Sequence, residues 1–177
     1  MPNENSFVIW DKFIRIFHWS VATLFLLDYW VVEGGEDLHD WIGYAIALLV
    51  VLRVIWGFIG STNARFNSFW PSVFNIKQYV QRFPNKTSYT SGHNPLGGMM
   101  ILFLLFMLFL TALSGWMRGL DMFWGEDWVQ WLHEYSADVL MASVLIHVMA
   151  VVITQTLTRV PLIIPMITGK RKKPPSN

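Results

Sequence analysis

Residues 128–158 read WVQWLHEYSADVLMASVLIHVMAVVITQTLT, an apolar run that carries two histidines, His133 and His147, 14 positions apart. At about 100° and 1.5 Å per residue, that spacing is close to four helical turns and roughly 21 Å of rise. Both imidazoles then point the same way, one near each side of a bilayer. A histidine within an apolar span is costly to bury and has a partner there. The identity of those partners decides what the chain does.

The composition sets the solvent. Over 177 residues the chain is 54% hydrophobic and only 14% charged, with 10 Trp and 13 Phe, too apolar for a soluble domain of this size. It has no cysteine, which excludes disulfides, thiolate iron–sulfur clusters, thioether haem attachment and cysteine zinc sites. Any redox chemistry must use a cofactor held by other ligands. The polar start, residues 1–11, lacks the basic run, short apolar core and small-residue cleavage site of a signal peptide, so the first apolar segment is expected to stay as an anchor.

Four segments are long enough to cross about 30 Å of hydrocarbon as helices, at about 13–32, 42–60, 96–117 and 129–158. The fourth exceeds what a bilayer needs, so it tilts or its ends emerge. The link between the second and third holds Arg65, Lys77, Arg82 and Lys86 and no acid, and the tail holds Arg159, Lys170, Arg171, Lys172 and Lys173. The other links are acidic, with Glu33, Glu36, Asp37 and Asp40 in one and Asp121, Glu126 and Asp127 in the other, against a lone Arg118. Lys and Arg mark the cytoplasmic side. The expectation is an all-α integral membrane four-helix bundle, up-down-up-down, with both termini cytoplasmic and residues 1–177 forming one domain in a bacterial inner membrane. Tryptophans 10, 30, 56, 116, 124 and 128 fall where such spans meet headgroups. Within the middle link, residues 73–83 (VFNIKQYVQRF) carry an apolar stripe with interleaved basic residues, which fits a helix lying on the inner leaflet or docking a partner. Residues 86–92 read as a plain loop and 174–177 as a frayed end.

All five histidines, His18, His39, His93, His133 and His147, lie in or beside apolar segments. Depth pairs four of them. His18, early in the first helix, shares the inner level with His147; His39, at the outer start of the second, shares the outer level with His133. Two same-depth pairs from facing helices are what bis-imidazole haem requires, since six-coordinate iron takes one nitrogen above and one below the ring, and a bundle core is a usual place for such a group. Zinc is a rival, but its ligands converge on one point, whereas these fall at two levels. A solvated His39 beside four carboxylates is the bland alternative. Gly43, Gly97, Gly98 and Gly115 offer thin places where a flat ring could approach, or serve close helix packing. His93, with Asn94 as a cap and Pro95 as a first helical residue, has no fifth partner and is left to a propionate contact, a quinone hydrogen bond or an interfacial role. Arg15 and Arg53, near inner helix ends, suit haem propionates as a fork on a carboxylate, or snorkel to lipid phosphate. Asp28 and Asp138, towards the outer side, carry protons for a quinone or merely reach water.

The motifs Val8-Ile9-Trp10-Asp11, Arg15-Ile16-Phe17-His18-Trp19, Leu38-His39 with Gly43, Leu52-Arg53-Val54-Ile55-Trp56-Gly57-Phe58, Ala64-Arg65-Phe66, His93-Asn94-Pro95-Leu96-Gly97 and Leu132-His133-Glu134 with His147 resemble the prokaryotic cytochrome b561 family. They resemble in particular the b-type cytochrome subunits that anchor nickel–iron hydrogenases and similar periplasmic oxidoreductases. The resemblance implies a four-helix protein with two haem b groups, the outer on His39 and His133 and the inner on His18 and His147. Hydrogenase-type relatives often have an additional membrane helix not found here, which brings the chain nearer the compact four-helix members. Electron transfer between the quinone pool, or an inner-side donor, and a periplasmic cytochrome c or oxidoreductase subunit is the leading expectation. A stand-alone superoxide:quinone oxidoreductase and a mere membrane anchor of a redox complex are the alternatives. Nothing resembles a hydrolase triad, a phosphate loop or a nucleic-acid surface.

Overall fold

The structure is a computed structural model, and it describes residues 6–83 and 92–172. The elements run β1 (Ser6–Val8), α1 (Lys12–Trp30), α2 (Asp37–Ile59), α3 (Val73–Arg82), α4 (Pro95–Arg118), α5 (Asp127–Thr158), α6 (Ile163–Thr168) and β2 (Lys170–Lys172). The four long helices coincide with the four expected segments to within a few residues at most ends. Of these, α2, α4 and α5 are long and apolar enough to cross a membrane. The 19-residue α1 falls short on composition, because Arg15, His18 and Asp28 interrupt its apolar run. Most of the loop expected at 86–92, and all of the end expected at 174–177, lie outside the described residues.

Two compact units divide the chain. Residues 17–54 and 101–146 form one of them. Its core is a single cluster to which four helices contribute: Val21 and Phe25 of α1, Ile42, Ile46 and Val50 of α2, Met107 and Leu108 of α4, and Leu140 and Met141 of α5. The four-residue steps within α1 and α2 put these side chains on one face of each helix. The opposite faces stay apolar, with Leu48, Phe106 and Leu145 well exposed. In water such continuous apolar surface would drive aggregation; in hydrocarbon it costs nothing.

The other unit gathers residues 1–16, 55–100 and 147–177, three stretches far apart in the chain. Ile9, Trp10, Ile14 and Ala64 make its core, with Phe13, Trp56 and Met166 packed against them. Strand β1 pairs antiparallel with β2, Phe7 opposite Arg171. The basic tail is therefore a strand as far as Lys172. Gly169 closes α6 at φ 80°, and its carbonyl accepts from the amides of Ile9 (2.8 Å) and Trp10 (3.2 Å). A Cβ there would meet the Trp10 carbonyl at 2.8 Å, so glycine is required twice over. Gly98 lets α4 approach the Phe69 carbonyl, which a Cβ would meet at 2.5 Å. Asn94 caps α4 by accepting from the Gly97 amide at 2.7 Å, with Pro95 first in the helix. Ser72 caps α3 in the same way through Asn75, and the apolar side chains of Val73, Phe74 and Val80 are left exposed.

Asp11 ties this unit together. One of its carboxylate oxygens caps α1 at the Ile14 amide (2.8 Å), while the other accepts from Trp56 Nε1 (3.0 Å) and Ser61 Oγ (2.5 Å). Partial burial alone would raise its pKa, but the hydrogen bonds from Ser61, Ile14, Trp56 and Phe13 outweigh it and hold the carboxyl below its usual range. A depressed folded-state pKa stabilises the fold fully above the unfolded value of about 3.9 and is lost as pH falls through the folded value. Asp11→Ala is expected to cost about 2 kcal/mol, chiefly through the donors it strands. Thermal unfolding in detergent should show a gap to the parent at pH 7 that narrows below pH of about 4; a gap independent of pH would contradict this role.

Candidate functional site

Two of the four expected ligands meet. His39, on the first turn of α2, and His133, on the second turn of α5, have ring centres 5.9 Å apart and planes at 90°. They line a cleft that is open to the surroundings and whose walls include Phe25, Ile46, Leu108 and Leu140.

Each ring has its Nδ1 committed. His133 Nδ1 lies 2.9 Å from the carbonyl oxygen of Thr111 on α4, an atom that can only accept, so Nδ1 carries the proton. Ser114 Oγ, 3.3 Å from the same nitrogen, donates to the Leu110 and Thr111 carbonyls. His39 Nδ1 lies 3.1 Å from the Asp28 carboxylate on α1, which likewise accepts. In both rings the lone pair then belongs to Nε2, the tautomer in which metal-binding imidazoles are held by a partner on the other nitrogen. A first-row metal–imidazole bond is about 2 Å long. Two such bonds in line, with roughly 1 Å from each nitrogen to its ring centre, separate the centres by about 6 Å, which the 5.9 Å spacing matches. Among the described residues no group of three or more His, Cys, Asp or Glu forms a metal site, so the pair does not resemble a zinc cage.

The glycines separate by role. A Cβ on Gly43 would meet nothing within 4 Å, leaving open space on the wall of the cleft. A Cβ on Gly115 would meet His133 Cε1 at 2.9 Å, so α4 has a glycine where the imidazole lies against it. Gly97 meets only the Asn94 cap, and Gly98 serves packing.

Asp28 and Asp138 both acquire partners that the sequence did not disclose. Asp28 holds His39, and Asp138 accepts from Tyr29 Oη at 2.7 Å. His18 is half-buried on α1, its ring edge-on to Trp19 at 5.0 Å. His147 is half-buried on α5. His93 lies between Trp10 (4.6 Å) and Phe69 (4.4 Å), in the unit that Asp11 ties together. Arg15 donates to the Ile167 carbonyl at 2.6 Å, and Arg53 is 3% exposed.

A sequence profile described as "Prokaryotic cytochrome b561" matches residues 9–169. Curated relatives are named "Probable Ni/Fe-hydrogenase B-type cytochrome subunit". The one from Rhizobium leguminosarum bv. viciae is 25% identical, over 95% of this chain and 90% of its own. The one from Bradyrhizobium diazoefficiens is 23% identical, over 93% and 85%. No solved structure matches the chain. With spans of membrane-crossing length and composition, and a match over nearly the whole chain, this protein belongs to the prokaryotic cytochrome b561 family, multi-pass membrane proteins that transfer electrons on haem b.

Proposed function

We propose that the chain carries electrons across the bilayer on two b haems, the outer held by His39 and His133 and the inner by His18 and His147. The observation that carries this is the His39–His133 couple, two rings at axial spacing with both Nδ1 atoms committed. The inner couple rests on the matched depth of its histidines in the sequence. When bound, haem supplies one-electron redox chemistry. The chain's part is to donate Nε2 lone pairs, fix their direction through Asp28 and Thr111, leave room at Gly43, and line the site with apolar side chains. Arg53, buried, and Arg15, with N–H groups beyond those on Ile167 and Asp11, suit propionates.

A four-span bundle with both termini inside is supported by parity. Because β1 pairs with β2, the two ends of the described chain lie on one side of the membrane, which requires an even number of crossings. Helices α2, α4 and α5 account for three, and α1 for the fourth. The basic middle link and tail support a cytoplasmic position for that side, in a bacterial inner membrane. Electrons pass between the quinone pool, or an inner-side donor, and a periplasmic partner, either a cytochrome c or an oxidoreductase subunit. The names of the relatives favour a hydrogenase catalytic subunit.

Haem quantification on the purified chain, with reduced-minus-oxidised and ferric spectra, tests the proposal. Two equivalents of low-spin haem b per chain are expected. A single equivalent, or a high-spin ferric signal from an intact preparation, would overturn it.

A further inference from the structure

The two imidazoles of the outer couple are alike in chemistry and unlike in what holds them. His133 donates to a neutral backbone carbonyl, that of Thr111, at 2.9 Å. His39 donates to a carboxylate, that of Asp28, at 3.1 Å, and the two side chains are only 21% and 13% exposed. Asp28 comes from α1 and His39 from α2, so the bond also fixes a side chain near the start of one helix from the end of another.

An ionised acceptor pulls the Nδ1 proton away from the ring and raises electron density at Nε2 more than a carbonyl does. A stronger donor stabilises the more highly charged metal, and so does a negative charge held close by in a site shielded from water. The two effects have the same sign.

We propose that Asp28 is a positioning residue that orients His39 and sets the outer haem to a lower potential than a neutral acceptor would give. This rests on His39 being an axial ligand. A neutral amide at position 28 still accepts from Nδ1–H with nearly the same shape, so Asp28→Asn isolates the charge from the geometry.

The test is a redox titration of the purified full chain, followed optically and by low-temperature EPR, for the parent, Asp28→Asn, Asp28→Glu and His39→Ala. In Asp28→Asn both haems stay, and one couple moves upward so that its reduced-to-oxidised ratio at a fixed potential rises about tenfold, which is 59 mV for a one-electron couple. The other couple does not move, and Asp28→Glu returns the first towards the parent. Unchanged potentials in Asp28→Asn, with His39→Ala losing a haem, overturn the role of Asp28 and leave the ligand assignment standing. Retention of both haems by His39→Ala overturns the assignment itself. If Asp28→Asn instead loses the outer haem, Asp28→Glu decides: its recovery with a parental potential upholds an anionic anchor, and loss in both variants refutes it.

Discussion

His133→Ala is expected to purify with one haem equivalent in place of two, and His39→Ala with the same loss. The reason lies in how a couple works. On the proposed pairing each imidazole would supply one bond to the iron, and removing either would leave the metal one ligand short in the cleft. Residues that act as a unit are non-additive. The double variant His39→Ala/His133→Ala should therefore lose no more haem than either single one. A cross-couple double, His39→Ala/His147→Ala, should lose both. That contrast assigns the pairing without coordinates of the holoprotein, and equal losses from the two doubles would mean the histidines are wrongly coupled. His93→Ala is the internal control. Its ring packs between Trp10 and Phe69, so both haems should remain while thermal stability falls.

Gly115→Val should abolish retention of the outer haem while sparing the inner one. A Cβ at Gly115 already falls 2.9 Å from His133 Cε1 and 3.2 Å from Nδ1. The branched side chain forces the imidazole off the Thr111 carbonyl, and with it the direction of Nε2. A second glycine sharpens the result. Gly43 has nothing within 4 Å of an added Cβ, so Gly43→Ala strains no contact of the polypeptide. If the cleft receives a macrocycle, that methyl competes with it, and outer-haem occupancy falls by roughly tenfold or more, the effect of 1.4 kcal/mol or so. Haem content with unfolding temperature separates the cases: lost haem in a well-folded Gly43→Ala protein is steric exclusion from the cleft. Full occupancy in both variants would mean that haem binds elsewhere.

The long helices were legible because their signal is a run of apolar residues bounded by caps and charges, and that signal survives any tertiary arrangement. Asn94-Pro95 and the stripe at 73–83 were legible for the same local reason. What could not be read was contact between distant segments. Asp28 and Thr111 hold the two imidazoles, but which turn of α1 or α4 meets a histidine depends on helix rotation, which a purely apolar pattern leaves undetermined. The four glycines looked equivalent in sequence; only their neighbours distinguish the wall of a cleft from a packing face. Strand pairing between β1 and β2 had no signal at all, since Ser-Phe-Val and Lys-Arg-Lys are each three residues long, too short for an alternation to detect. Membrane depth, by contrast, put His39 and His133 at one level, and their rings lie 5.9 Å apart, because helix rise is fixed by geometry rather than by sequence.

The clasp between β1 and β2 bears on biosynthesis. Ser6 finds its partner at Lys172, so β1 must wait for a segment made much later to leave the ribosome. At about 5–20 residues per second the delay is on the order of ten seconds. During it, Ile9 and Trp10 lack the Gly169 carbonyl their amides need. Insertion of the spans can proceed without that clasp, but the clasp closes only after α6 and β2 have emerged, and a nascent chain stalled before α6 would leave β1 unpaired.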